Sequence, residues 1–96
     1  MHRSLLFFTG EFCAPCRRMK EEGTLDVLAE EFDVDVVREI DAAAAEPEDV
    51  QRYGVTALPT IVFLVGDKRV CQFSGYRSAG RCKELIQEAL GRMCDG

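Results

Sequence analysis

The chain has 96 residues, with 17 acidic against 12 basic side chains, a net charge of −5 and 47% hydrophobic residues. That length supports one core, hence a single domain over 1–96, and no apolar run approaches the roughly 20 residues that cross a bilayer, which sets aside a membrane-spanning class. An acidic chain without a basic stripe interleaved with aromatics also sets aside nucleic-acid binding.

Ser4 to Phe8 is an apolar run of strand length, too short for a signal-peptide core, and Thr9-Gly10-Glu11-Phe12 is the turn after it. Cys13-Ala14-Pro15-Cys16 follows where a helix begins. Two thiols three positions apart at a helix start can close on each other. The unpaired N–H groups and the positive dipole end of the helix stabilise a thiolate on the first of the pair. Pro15 suits the first turn, where its missing N–H has no partner to lose. In such a setting a cysteine falls from about 8.5 to the range ~3.5–7.5, a thiolate at neutral pH and therefore a nucleophile for disulfide exchange. Zinc and a purely structural disulfide are the competing readings of a bare C-x-x-C. Zinc wants four ligands in close pairs, and Cys71, Cys82, Cys94 and His2 form no second pair, so no metal is expected. A structural bridge belongs to an oxidising compartment, whereas no secretory signal is read here and the expected location is cytoplasmic.

The helix after the motif is expected to run from Cys13 or Ala14 to Glu31, with Leu25, Leu28, Ala29 and Phe32 on its buried face and a bend or short break at Gly23-Thr24. Val34 to Ile40 alternates loosely and carries Arg38 and Glu39, charges that blunt a sheet edge. Pro47 opens a short helix with Glu48 and Asp49 in its first turn, closed by Gly54 after Tyr53. Thr60 to Val65 is β-branched and apolar, a central strand, and Gly66-Asp67-Lys68 turns it into Arg69 to Ser74. From Ser78 as N-cap, the last helix places Ala79, Cys82, Leu85, Ile86, Ala89, Leu90 and Met93 on one face. Cys71 and Cys82 read as packing thiols, Cys94 as the exposed one prone to dimerise in air, and His2 has no assigned role.

Charge is unevenly placed. Residues 21–50 hold twelve of the acids against one base, Arg38, a local sum of −11, so the remainder sums to +6. The plain reading is a solvated acidic flank. A sharper one is that Arg17, Arg18 and Lys20, with Arg52 and Arg77 at the same end of the fold, steer acidic partners toward Cys13.

The order strand, helix, strand, helix, strand, strand, helix, with C-x-x-C opening the first helix and Thr56-Ala57-Leu58-Pro59-Thr60 before the third strand, resembles the thioredoxin family. The resemblance implies an α/β fold, a minimal four-stranded mixed sheet with helices on both faces, lacking the additional first strand and helix of full-length members. It implies that Pro59 is cis, that Cys13 attacks and Cys16 resolves, and that Phe12, Ala14, Pro15, Ala57, Leu58, Pro59 and Gly75 meet the extended backbone of a substrate protein. The implied activity is reduction of disulfides in partner proteins, with no bound cofactor, a monomeric state, and a reductase of the thioredoxin reductase kind to restore the dithiol. A glutathione-dependent glutaredoxin is the alternative, but Ser74-Gly75-Tyr76-Arg77-Ser78-Ala79-Gly80 lacks that group's Gly-Gly and acid. A non-catalytic interaction module is a third. The chain departs from the family pattern at Phe12, where tryptophan is usual, and at Ala14, where glycine is usual. Phe7 stands where many members bury an aspartate, and Val37 where its lysine partner lies, leaving water or Glu11 to serve as base.

Overall fold

The computed structural model describes residues 1–95, with side chains through Met93. Four strands, β1 (Arg3–Thr9), β2 (Val36–Asp41), β3 (Thr60–Val65) and β4 (Lys68–Ser74), form one mixed sheet in the order β2-β1-β3-β4. β1 runs parallel to β2, with Leu5 opposite Val37 and Phe7 opposite Glu39, and antiparallel to β3, with Phe7 opposite Ile61. The order follows from composition. Leu5, Leu6, Phe7, Phe8, Ile61, Val62 and Phe63 are all buried, so β1 and β3 are apolar on both faces and take the centre. β2, with Arg38 and Glu39 exposed, takes an edge as its charges predict. Gly66 and Asp67 make the two-residue turn between β3 and β4, and the positive φ of Gly66, 61°, fits the first central position of a hairpin turn that only glycine occupies freely.

The expected long helix is two: α1 (Ala14–Glu21) and α2 (Thr24–Glu31). Gly23, at φ 73°, ends the first in a left-handed conformation and begins the second. Both pack with α4 (Ala79–Asp95) on one face of the sheet, where Cys16, Met19, Leu25, Leu28, Phe32, Cys82 and Ile86 meet Leu5, Phe7, Ile61 and Phe63. On the opposite face Leu6, Phe8 and Val62 are covered by Ile40, Tyr53, Val55 and Leu58, from β2, the end of the short helix α3 (Pro47–Arg52) and the loop beyond it. Helices therefore lie on both faces. Ser78 caps α4, its Oγ accepting the N–H of Arg81 at 3.2 Å. Met93, assigned by periodicity to the buried face of α4, is 38% exposed instead: it stands in the last turn of the helix, beyond the buried Ile86 and Ala89, and periodicity sets a residue's face but not how far along the helix its cover extends. The expectation for Cys94 lies outside the described side chains.

Candidate active site

Cys13 is the N-cap of α1, in extended conformation at φ −98° and ψ 96°, and its Sγ accepts the backbone N–H of Cys16 at 3.2 Å. Turning from β1 into a helix at Cys13 leaves the first-turn N–H groups without carbonyl partners, and sulfur takes one of them. Pro15 occupies the first turn, as its fixed φ and lost donor suggest. Cys13 and Cys16 are joined by a disulfide with Cα atoms 5.2 Å apart. The two sulfurs differ in access: Cys16 is fully buried among Phe7 and Met19, whereas Cys13 is half-buried at the edge of that cluster.

Around the disulfide, the loops converge. Gly10 lies where any Cβ would come within 3.0 Å of Leu58 Cδ1 and 3.9 Å of Cys13 Cβ, so the turn before the motif touches both the dithiol and the loop before β3. The Leu58–Pro59 peptide bond is cis, as the resemblance implies. Thr60 Oγ1 donates to the Ala57 carbonyl at 2.6 Å and pairs with Ser74 Oγ at 2.7 Å, and the Gly75 N–H donates to the Pro59 carbonyl at 2.8 Å. These bonds bring Ala57, Leu58, Pro59 and Gly75 into one rim. Phe12, 92% exposed, and Ala14, exposed, stand beside it, with Pro15 half-buried. Gly75 offers less than its place suggests: its N–H is taken by Pro59, and its carbonyl accepts from Arg77 Nη1 at 3.2 Å.

No carboxylate is buried among the described residues; Phe7 joins the cluster that holds Cys16, with no exposure at all. Glu11 is exposed and holds its neighbours by its backbone, its carbonyl accepting from Arg17 at 3.5 Å. Val37, on the edge strand, is exposed rather than part of that cluster.

The cations divide. Arg18 pairs with Glu22 at 3.3 Å and lies over the Tyr76 ring, 4.1 Å from its centroid, while the Tyr76 hydroxyl donates to the other Glu22 oxygen at 2.7 Å. That bond to a carboxylate keeps the Tyr76 phenol protonated above its usual range. Lys20 pairs with Glu39 at 3.7 Å, and Arg52 stacks on Tyr53, which packs against the sheet face opposite α1. Of the five cations grouped by the sequence, Arg52 thus stands apart. Sequence reasoning missed the Arg18, Glu22, Tyr76 contact; the four-residue spacing of Arg18 and Glu22 was a signal for the ion pair, but nothing local marks Tyr76, 54 positions beyond Glu22.

The two remaining described thiols are inert by environment. Burial pushes Cys82 up to about 11 and raises Cys71 as well. Their sulfurs sit against backbone carbonyls, Cys82 Sγ 3.8 Å from that of Arg77 and Cys71 Sγ 3.7 Å from that of Leu85.

A four-stranded mixed sheet bearing a disulfide at the mouth of its first helix, faced by a cis-proline loop, defines a thioredoxin-fold dithiol–disulfide protein. The family model described as Thioredoxin matches residues 2–88. Thioredoxin-1 of Drosophila yakuba is 39% identical over 72 residues, 74% of this chain and 64% of that protein, so the matched part is just under two thirds of the relative's length. Among solved structures, the thioredoxin of Fasciola hepatica superposes with a TM-score of 0.72 at 29% identity, covering 92% of this chain and 81% of that one. The germline-specific thioredoxin Deadhead of Drosophila melanogaster gives 0.73 at 28% identity, covering 91% and 80%. The chain belongs to the thioredoxin family.

Proposed function

We propose that this chain is a protein-disulfide reductase whose working couple is Cys13 and Cys16. The observation that carries the reading is the unequal access of two bonded sulfurs at one helix end, Cys13 half-buried and Cys16 fully buried. In the reduced protein, the Cys13 thiolate attacks one sulfur of a partner's disulfide; a Cys13-to-partner bond forms, the partner's S–S bond breaks, and one partner thiolate leaves. Cys16 then gives up its proton to water and attacks Cys13 Sγ, closing the intramolecular disulfide and releasing the second partner thiolate. Two electrons have passed to the partner, which takes up two protons. The N–H of Cys16, which already points at Cys13 Sγ, favours the thiolate before attack and as leaving group.

A disulfide reductase of the thioredoxin reductase kind, flavin- or iron–sulfur-dependent, returns the couple to the dithiol. We assign the chain to the cytoplasm as a monomeric, single thioredoxin-like domain over 1–96; a C-x-x-C that exchanges rather than staples the fold suits a reducing compartment. The test is a trap. Cys16→Ser, mixed with a disulfide-bearing protein, is expected to accumulate a covalent complex that dithiothreitol releases, and Cys13→Ser to form none. Normal turnover by Cys16→Ser, or trapping by Cys13→Ser instead, overturns the division of roles.

A further inference from the structure

We propose that the disulfides this chain reduces are flanked by carboxylates, and that Arg77, together with Arg17 on α1, recognises them. This rests on the reductase reading above and adds a substrate class to it.

Of the cations near the dithiol, Arg18 is neutralised by Glu22 and Lys20 by Glu39, whereas Arg17 and Arg77 have no carboxylate within 4.0 Å among the described residues. Arg77 is held in place without one. Its Nη1 donates to the carbonyls of Ser74 and Gly75, and its guanidinium lies over the Phe73 ring, 5.3 Å from the centroid. A guanidinium has five N–H donors in a rigid fork, so those on its other nitrogens remain for a bidentate acceptor. Because the side chain is already fixed, closing that bond costs little further rotamer entropy. Its position is the rim of the active site: Gly75 is bonded to Pro59, and Leu58 reaches the turn that touches Cys13. Since the N–H and carbonyl of Gly75 are both engaged, the Arg77 side chain is what this segment presents to an incoming partner.

Arg17 lies four residues beyond Cys13, hence on the same face of α1, and is exposed with one contact, to the Glu11 carbonyl. Of the acids on the surface pocket that Arg17 lines, Asp41 has its Oδ1 accepting the N–H of Ala43 at 3.0 Å and Glu11 keeps its carboxylate more than 4.0 Å from the Arg17 guanidinium, while Glu39 holds Lys20. The acidic run from 21 to 50 forms α2, β2 and α3, so an acidic partner is repelled from that flank and drawn to the cationic rim.

The experiment compares two peptides, each holding one disulfide, identical except for Glu or Lys on both sides of each cysteine. Turnover by the full chain with dithiothreitol as reductant is divided by the same variant's rate on neutral 2-hydroxyethyl disulfide. The expected kcat/KM ratio, Glu over Lys, is roughly tenfold at low ionic strength and below about twofold at 0.5 M salt. Arg77→Gln and Arg17→Glu should each collapse the ratio, the double variant should reverse it, and Arg77→Lys should keep only part of it. Equal rates on both peptides, or a preference that survives both substitutions, overturn the proposal and leave the reductase reading standing. Failure to reduce either peptide overturns the reductase reading itself.

Discussion

Cys82 offers a reading of the core that is independent of catalysis. It sits on α4 with no exposed surface, its thiol raised by burial from the usual 9.0 to about 11. At pH 8 a thiol at 9.0 is about 9% thiolate and one at 11 about 0.1%, so ionisation alone slows its alkylation about 100-fold, before access is considered. In the reduced protein, iodoacetamide is therefore expected to label Cys13 within minutes and Cys82 only on the timescale of unfolding, with peptide mapping by mass spectrometry as the readout. The same shift sets a pH dependence of stability. The folded protein holds this proton more tightly than the unfolded chain does, so the contribution is fully present below pH 9 and is lost as pH rises toward 11. Its size is at most about 3 kcal/mol, and urea midpoints measured between pH 8 and 11 should fall accordingly, less so in Cys82→Ala. Labelling of native Cys82 as fast as in 6 M urea, or a midpoint flat across that range, would refute the burial that places α4 on the sheet.

Further outcomes follow from single contacts. Thr24 is fully buried with its hydroxyl unpartnered, so Thr24→Val, which keeps the shape and removes the polar group, should raise unfolding free energy by about 1–3 kcal/mol in urea titrations. Gly23→Ala should lower it by about 1–2 kcal/mol, because the left-handed φ of 73° resists a Cβ although nothing lies within 4 Å of it; the melting temperature reports this. Phe7→Ala, at a residue with no exposed surface in the central strand, should cost about 3–5 kcal/mol, a large part of the stability of a domain this size, measured by thermal unfolding.

The parts legible in the sequence were those written in local pattern. C-A-P-C at a strand-to-helix junction, the glycine break at Gly23 and the charged edge strand each depend on residues within a few positions of one another, and each stands where the pattern put it; the turn expected at Gly66-Asp67-Lys68 is shorter, because Lys68 already pairs with Val65 in β4. The boundaries of β2 moved from Val34–Ile40 to Val36–Asp41, because Val34 packs against the core from the loop after α2 while the ladder with β1 extends to Asp41. Contacts made by long side chains across the fold were not legible. Arg52 stacks on its own neighbour Tyr53, Tyr76 reaches back to Glu22, and Arg77 turns onto the carbonyls just before it, choices that the final packing decides. Met93 illustrates the converse: its spacing fits the apolar face, but helical periodicity alone does not say how far along the helix its cover reaches.

Phe7 carries a consequence for the electrochemistry of the couple. No carboxylate or imidazole is buried among the described residues, and the titratable groups of the apolar cluster that holds Cys16 and Cys13, namely Cys71, Cys82 and Tyr76, are all raised above their ordinary ranges. Electron uptake by the disulfide is therefore coupled to no buried carboxylate among the described residues. Below the pH at which Cys13 ionises, the midpoint potential should fall by about 59 mV per pH unit, two protons for two electrons. The line should bend only where a thiol of the couple itself ionises.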